Sequence, residues 1–315
     1  IMKEYIPLRA EDINYRTLEK LLDHLKYVTG IIILLKESNI LEIPAPKGIG
    51  KTLNVFGAFN TMVKLNPEQL PISIGFDPID GKIKIHNLKC YINEEHLEKR
   101  DYLLDLNPKE LVKEADIISF DNIHYICDLA KENIVSSDVM DIIAKAILDE
   151  IDEGKKIILP TESELKCYLN IANEDGEFVE LVEFIKKDKY FQRMYMLPPS
   201  VDELCKIYNV ELSKDVKTLW NKFSDNLPRS FVNMINLFGR KITMKDIIHA
   251  VYRKFLSKYL ANEKKLRSIS RYEYDFFVKL THNYEVFELT LQYYEDSKDI
   301  YKYIDDIVKE VTGYT

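Results

Sequence analysis

The chain contains few of the residues that cross-link small proteins or bind structural metals. Its 315 residues include four cysteines, Cys90, Cys127, Cys167 and Cys205. They are widely separated, and no CxxC or Cys/His pair occurs among them. This spacing argues against both a disulfide framework and a structural zinc site. We therefore expect thiols that pack as small hydrophobic groups.

Long apolar runs and an excess of basic residues are also missing. The nearest candidate for a membrane span, Ile31–Leu35, falls far short of the roughly 20 residues that a span requires. No signal-peptide pattern is visible, which predicts a cytoplasmic protein without membrane contact. A net charge of −8 disfavours a surface that binds nucleic acid throughout. One local exception is residues 253–271, which carry seven basic residues and one acidic residue.

What is present is an alternation of strand and helix signals up to about residue 197. Leu18–Val28 has the periodicity of one amphipathic helix. Strands are predicted at short apolar runs between turn signals: Ile40–Ile43, Pro71–Phe76, Asp116–Phe120, Lys156–Leu159 and Met194–Leu197. Helix-length connections between strands predict a parallel sheet with helices on both faces, and hence an α/β fold.

The predicted boundary of this first domain follows the last strand. Pro198 and Pro199 would end that strand, and Ser200 with Glu203 forms a capping-box pattern for a helix starting at Val201. The remaining patterns are almost all helical. We therefore predict three parts: residues 1–198 with the sheet, a helical domain at 199–262, and a small, mostly helical C-terminal region at 263–315.

The clearest chemical motif follows the first predicted strand. Pro46-Lys47-Gly48-Ile49-Gly50-Lys51-Thr52-Leu53 contains the end of the pattern G-x-x-x-x-G-K-[ST], although Ala45 replaces its first glycine. Such a loop turns backbone N–H groups towards phosphates, its lysine reaches the outer phosphates, and its Ser/Thr holds Mg²⁺. A strand before the motif and a helix over 52–63 supply the required context. We expect Lys51 to face solvent as a phosphate ligand.

Two further strands are predicted to end at this loop. Ile117–Phe120 ends at Asp121, which we expect to hold the magnesium ion together with Thr52. Lys156–Pro160 ends at Thr161. Because ligands of open parallel sheets bind at the carboxyl ends of the strands, all three strand ends are predicted to converge on one phosphate group.

At these residues the sequence resembles the AAA+ ATPases. Gly48–Thr52 and Phe120–His124 are similar to the Walker A and Walker B motifs of the DnaA, Cdc6/Orc and clamp-loader branch. The resemblance covers about residues 5–245. It implies ATP and Mg²⁺ as cofactors, a nucleotide-binding domain at 1–198 and a lid domain at 199–262. It also implies that the N-terminal segment with Ile6 and Pro7 packs on the adenine.

The resemblance assigns three more polar side chains to the site. Thr161 falls at sensor 1, near the γ-phosphate, and Arg229 in Asn226–Ser230 falls at sensor 2, where an arginine opens a lid helix. Arg193 lies where the family carries an arginine finger that reaches the ATP of the next subunit. These roles suit arginine, whose planar charged fork matches a phosphoryl group. They predict self-association through interfaces that contain ATP.

Asn122 departs from the family pattern, which places an acid directly after the magnesium-binding Asp121. Asparagine can position a water molecule but cannot accept its proton at neutral pH. We therefore expect slow hydrolysis unless another carboxylate, such as Asp128, reaches the water.

Three functions remain open at this stage. The leading hypothesis is a nucleotide-dependent assembly switch in replication initiation or helicase loading, with DNA or a protein such as a helicase as partner. A protein-remodelling ATPase would need an aromatic pore loop, for which Lys89–Ile92 offers one tyrosine. The third hypothesis is a regulatory adaptor with little hydrolysis. No DNA-recognition motif is identifiable from residue 246 onwards.

Overall fold

The computed structural model of the chain describes Ile6 and residues 12–76, 83–85, 91, 107–126, 154–162, 170–172, 178–180 and 191–247. The chain forms two compact units. The first comprises residues 9–197, and the second combines residues 1–8 with residues 198–315. The predicted boundary at residues 262 and 263 lies outside the described residues, as does the basic stretch 253–271.

The first unit contains four described α-helices and eight described strands. In chain order they are α1 (Tyr15–Leu21), α2 (Val28–Glu37), β1 (Ile40–Pro44), α3 (Lys51–Leu65), β2 (Pro71–Phe76), β3 (Ile83–Ile85), α4 (Pro108–Glu114), β4 (Ile117–Asp121), β5 (Lys156–Thr161), β6 (Asn170–Ala172), β7 (Phe178–Glu180) and β8 (Phe191–Arg193). The short strands β3, β6 and β7 were not predicted, since three residues are too few to show a period.

Six of these strands form the central sheet, in the order β3-β2-β4-β5-β1-β8. The strands from β2 to β8 in this order are parallel, and β3 pairs antiparallel with β2 at one edge. Every residue of β1, β2 and β4 is buried. Continuous burial is what a parallel sheet covered on both faces requires, so the predicted α/β architecture is confirmed.

The order of the strands places β5 between β1 and β4. The backbone N–H of Ala45, just after β1, donates to the Thr161 carbonyl (3.0 Å), and that of Asn122, just after β4, donates to the Pro160 carbonyl (3.3 Å). The end of β5 therefore ties the phosphate loop and the Asp121–Asn122 pair to one edge of the sheet.

The helix predicted over Leu18–Val28 is interrupted, and this prediction is wrong. α1 ends at Leu21, a 3₁₀ turn covers Leu22–His24, and α2 begins at Val28. A packing constraint explains the break. A methyl group added at Gly57 of α3 would lie 2.8 Å from Val28 and 2.9 Å from Leu25, so both side chains sit directly against the helix backbone.

The strand predicted at Met194–Leu197 is also misplaced. β8 lies three residues earlier, and its residues Phe191 to Arg193 pair with Ile40 to Glu42 of β1. Pairing stops soon afterwards, at the hydrogen bond from the Met194 N–H to the Glu42 carbonyl (2.9 Å). Two residues further along β1, Pro44 has no N–H with which to continue the ladder.

The second unit is mostly helical in its described part. It contains α5 (Val201–Tyr208), β9 (Glu211–Leu212), α6 (Lys214–Phe223), α7 (Pro228–Phe238) and β10 (Lys241–Ile242). The predicted capping box is confirmed: Ser200 accepts from the Glu203 N–H, and Glu203 accepts from the Ser200 N–H. The parallel pair of β9 and β10 was not predicted.

Trp220 and Phe231 form the centre of the second unit's core, with their rings edge to face at 5.3 Å between centroids. The indole N–H of Trp220 donates to the Asn226 side chain (2.7 Å), so the buried ring leaves no donor unpaired. In the part of the chain that the structure describes, no helix combines the length and apolar character needed to cross a membrane.

Candidate functional site

The candidate nucleotide site begins with the loop between β1 and α3. Gly48 and Gly50 have φ angles of +88° and +101°, in the left-handed region that glycine adopts without strain. Gly50 is also the residue that caps α3, a helix of 15 residues. The first N–H groups of a helix lack intrahelical partners, so the loop and helix together form a place for an anion.

The Lys51 side chain turns back into this loop. Its ammonium group donates to the carbonyls of Ala45 (2.5 Å) and Pro46 (3.1 Å). The residue is only 7% exposed, so the expectation that Lys51 faces solvent is wrong. The two carbonyls hold the ammonium group against the loop between β1 and α3.

Thr52 and Asp121 come together as the motifs require. The Thr52 hydroxyl donates to the Asp121 carboxylate at 2.6 Å, although 69 residues separate them in sequence. Asp121 is 3% exposed at the end of β4. Mg²⁺ in nucleotide sites is held by one or two protein oxygens together with phosphate oxygens and water. These two side chains fit that role.

Thr161 supplies an independent sign that the site is built for a polar ligand. Its hydroxyl is fully buried at the end of β5 and has no hydrogen-bond partner among the described residues. Buried hydroxyls are normally paired, since leaving one unsatisfied costs about 1–3 kcal/mol. A phosphate oxygen held by the neighbouring loop would satisfy it.

Asn122 follows Asp121 with a φ of +62°. Asparagine tolerates this left-handed conformation better than most residues do. Its N–H is bonded to Pro160 of β5, and its carbonyl accepts from the Tyr125 N–H (3.0 Å). The backbone at Asn122 is therefore fixed from both sides, at the position where the family pattern has an acid.

A second polar cluster beside the loop was not predicted. The Lys47 ammonium donates to the Tyr125 hydroxyl (3.3 Å), which donates to the Glu162 carboxylate (3.2 Å). The ring of His124 packs against that of Tyr125, with 4.2 Å between ring centroids and 51° between ring planes, and its Nε2 lies 3.7 Å from the same carboxylate. Burial raises the pKa of Tyr125 and the hydrogen bond from Lys47 opposes this effect, so the hydroxyl is a proton donor at neutral pH. Position alone could have suggested Glu162, because it directly follows Thr161.

Arg193 is engaged within its own sheet. Its Nε donates to the Glu42 carboxylate at 2.6 Å, and Glu42 is 1% exposed in the middle of β1. The sequence did not reveal this pair, because the two residues are 151 positions apart. The role of Arg193 as an arginine finger stays a prediction.

The other predicted site residues lie in the second unit. Arg229 occupies the first turn of α7, as predicted for an arginine that opens a lid helix. The backbone of Ile6 is held by the Asn236 side chain, which accepts from its N–H (3.2 Å) and donates to its carbonyl (3.1 Å). The roles of Ile6 and Arg229 towards nucleotide stay predictions. Pro7 and Asp128 lie outside the described residues.

No protein-family model and no curated protein sequence matches the chain. Similar solved structures include domain III of the replication initiation protein DnaA from Thermotoga maritima, at 16% identity and a TM-score of 0.45, covering 73% of this chain and 92% of that one. AMPPCP-bound DnaA from Aquifex aeolicus has 13% identity and a TM-score of 0.43, with coverages of 97% and 88%. Cdc6p from Pyrobaculum aerophilum has 14% identity and a TM-score of 0.39, with coverages of 98% and 88%.

These similar structures come from the branch that the sequence motifs resemble. Their TM-scores lie below 0.5, so the fold class rests on this chain's own features. Those features are the strand order, the glycine loop capping α3 and the contact of Thr52 with Asp121. Together they define an α/β protein with a P-loop on a parallel sheet.

Proposed function

We propose that this chain binds ATP with Mg²⁺ and acts as a nucleotide-dependent assembly switch in replication initiation or helicase loading. The observation that carries the proposal is the contact of Thr52 with Asp121 beside the buried Lys51, with Asn122 following in place of an acid. Thr52, Asp121 and Lys51 support nucleotide binding. Asn122 supports slow hydrolysis.

Different groups of the chain would bind the phosphates and the magnesium ion. The N-terminus of α3 and the Lys51 ammonium face the charge of the phosphates, and the Thr161 hydroxyl supplies a further donor. Thr52 and Asp121 would hold Mg²⁺, which neutralises phosphate charge when bound. Lys51 would exchange its two loop carbonyls for phosphate oxygens, whose negative charge attracts the ammonium group more strongly than a neutral carbonyl does.

We expect slow hydrolysis because Asn122, the residue after Asp121, has no carboxylate that could act as a general base. A carboxamide at Asn122 can orient a water molecule, but it cannot take a proton from it. Loss of a general base costs about 10²- to 10⁴-fold in rate. Glu162 is the described carboxylate that could substitute, although Tyr125 holds it by a hydrogen bond. A switch that responds to bound nucleotide tolerates slow hydrolysis better than a motor does.

The assignment to DNA replication rests on the resemblance of the Walker motifs to the initiator branch and on the basic stretch 253–271. It makes DNA, a second copy of the chain and a helicase the candidate partners. Arg193 and Arg229 would act in assembly and in lid closure, as the resemblance implies.

The remodelling alternative is disfavoured by the position of Tyr91, the one aromatic residue of its candidate pore loop. Tyr91 is 1% exposed, and its hydroxyl accepts from the Ser73 N–H (3.2 Å). Its ring packs against Phe56 and Phe59 of α3, with centroids 5.4 and 5.3 Å away. A side chain in the core cannot grip a polypeptide in a pore.

Calorimetric titration with Mg·ATP tests the nucleotide site. We expect the wild type and the control Lys36→Ala, at an exposed lysine of α2, to bind alike, and Lys51→Ala to lose binding while staying folded. Unchanged affinity in Lys51→Ala would refute the assignment of the site.

Fluorescence titration of duplex and single-stranded DNA, at two salt concentrations and with ATP or ADP, tests the replication part of the proposal. We expect ATP to strengthen DNA binding, and salt to weaken it because cationic side chains displace counterions. Absence of binding under every condition would remove DNA as a partner and leave the adaptor hypothesis.

A further inference from the structure

Asn54, in the second turn of α3, connects the phosphate loop to a distant part of the first unit. The residue is 5% exposed, and both polar atoms of its side chain are used. Its Nδ2 donates to the Gly50 carbonyl (2.9 Å), and its Oδ1 accepts from the Tyr27 N–H (3.2 Å). Nothing in the nucleotide-binding motif requires asparagine at this position.

The bond to Gly50 fixes the orientation of a functional peptide group. The Gly50 carbonyl accepts from both the backbone N–H of Asn54 (3.0 Å) and its side chain (2.9 Å). The carbonyl and the following N–H of a trans peptide point in opposite directions. Asn54 therefore holds the Lys51 N–H pointing out of the helix N-terminus, towards the place for the phosphates.

Tyr27 is locked to α3 at a second point. Leu25 and Val28, on either side of it, lie so close to Gly57 that an added methyl group would overlap both. Asn54 and Gly57 are three residues apart, so they lie on adjacent positions of one helix face. The turn before α2 is therefore packed against the start of α3 at two points.

The other end of Tyr27 holds the last residue of the unit. Its hydroxyl accepts from the Leu197 N–H (2.7 Å) and donates to the Leu197 carbonyl (3.2 Å). The chain passes into the second unit at Pro198. A continuous set of hydrogen bonds thus runs from Gly50 through Asn54 and Tyr27 to the point where the chain leaves the nucleotide-binding unit.

We propose that Asn54 and Tyr27 are positioning residues that orient the phosphate loop and couple its state to the segment at Leu197. The proposal rests on the proposed nucleotide binding for its functional meaning. A nucleotide that tightens the loop then also restrains Leu197 and the residues after it, and a loosened loop releases them.

Hydrogen exchange measured by mass spectrometry, with and without Mg·ATP, tests this coupling. In the wild type we expect ATP to slow amide exchange both in residues 45–55 and in residues 195–204. In Tyr27→Phe, which loses only the hydroxyl, ATP should still protect residues 45–55, with affinity within about threefold of the wild type. Protection of residues 195–204 by ATP should be lost. Tyr15→Phe, at the start of α1, is the matched control and should behave as the wild type.

Two substitutions at Asn54 separate its two bonds. Asn54→Leu removes both, and we expect about tenfold weaker ATP binding together with faster exchange of the Leu197 amide in the absence of nucleotide. Asn54→Asp keeps an acceptor for the Tyr27 N–H but cannot donate to Gly50. It should therefore weaken ATP binding while leaving exchange at Leu197 slow.

Several outcomes would overturn the inference. If the Leu197 amide exchanges at the same rate in Asn54→Leu as in the wild type, Asn54 is not coupled to Leu197, whether or not nucleotide binds. If ATP still protects residues 195–204 in Tyr27→Phe, the phosphate loop is coupled to this segment by contacts other than the Tyr27 hydroxyl. A wild type without protection at residues 45–55 would instead refute the proposed nucleotide binding, and the nucleotide-free comparison would still decide whether the link exists.

Discussion

At the carboxyl edge of the sheet, several residues next to the candidate site have an unusual backbone conformation. Gly48, Gly50 and Asn122 all have positive φ angles; Gly50 directly precedes Lys51, and Asn122 directly follows Asp121. Glycine adopts the left-handed conformation without steric strain, and asparagine adopts it with less strain than most residues. The backbone conformation therefore restricts residue 122 to a short list of well-tolerated residues, among which are asparagine and aspartate.

We expect Asn122→Glu to raise the rate of ATP hydrolysis about tenfold, equivalent to roughly 1.4 kcal/mol of barrier, because only a carboxylate accepts the proton of the attacking water. We expect no more than this gain, because glutamate adds one methylene and a charge, which displaces its carboxylate from the position of the Asn122 amide. Asn122→Asp, which suits that conformation better, is the matched control for side-chain length. Single-turnover hydrolysis with and without DNA measures both variants. Fast wild-type turnover with no gain in either would place the base elsewhere, with Glu162 and Asp128 the next candidates.

The ion pair of Glu42 with Arg193 gives a second prediction at this scale. Arg193→Leu would leave a buried carboxylate without its arginine, and we expect the free energy of unfolding to fall by about 2 kcal/mol. The loss stays below that of a fully buried pair because the Arg193 side chain is 23% exposed. The double variant Glu42→Leu with Arg193→Leu should recover most of it. Urea denaturation compares the three, and equal stabilities would show that the pair contributes little.

At the scale of helices and strands, close approach between elements explains the features that sequence periodicity missed. Leu18–Val28 has the period of one helix, yet the chain bends so that Leu25 and Val28 reach the backbone of α3 at Gly57. Likewise, the position of β8 in the sequence is determined by its pairing with β1 and not by the apolar content of the segment. Local patterns carry no information about either partner.

A pair of helical glycines tests this interpretation. Gly57→Ala should destabilise the first unit by about 1–3 kcal/mol, because the added methyl group would lie within 3 Å of two side chains. Gly30→Ala, in α2, should instead stabilise it by up to about 1 kcal/mol. Its added methyl group meets only Met194 Sδ, at 3.5 Å, and alanine favours the helix. Thermal unfolding distinguishes them, and a shared direction of change would contradict the packing argument.

The strands and the motif residues were predictable because their signals are local. The bounds of β2 and the capping box at Ser200 match the prediction, and Thr52 meets Asp121 as the motif order implied. Lys51 was misjudged because a charged side chain is buried by loop carbonyls that sequence does not locate. Asn54, Tyr125 and Glu162 were missed because each acts through a contact made only in the folded chain.

At the scale of the whole molecule, the chain joins a unit that carries the P-loop and the parallel sheet to a mostly helical unit with its own core. Each unit supplies one of the arginines predicted to read the nucleotide, Arg193 from β8 and Arg229 from α7. An arginine that acts on the ATP of another subunit makes the nucleotide part of an interface. The proposed switch therefore depends on assembly as well as on binding.

We expect ATP, but not ADP, to promote self-association of the full chain, because a trans-acting arginine senses the outer phosphate. For Arg193 to serve in this way, it must leave Glu42, so the buried carboxylate competes with the neighbouring subunit's nucleotide for the same guanidinium group. Glu42→Gln, which weakens the competitor and keeps its size, should strengthen ATP-dependent association, whereas Arg193→Ala should abolish it. Sedimentation velocity at several protein concentrations, with ATP, ADP or no nucleotide, measures the effect. Identical sedimentation of all three proteins under all three conditions would leave Arg193 as a structural partner of Glu42, and assembly would then need a different contact.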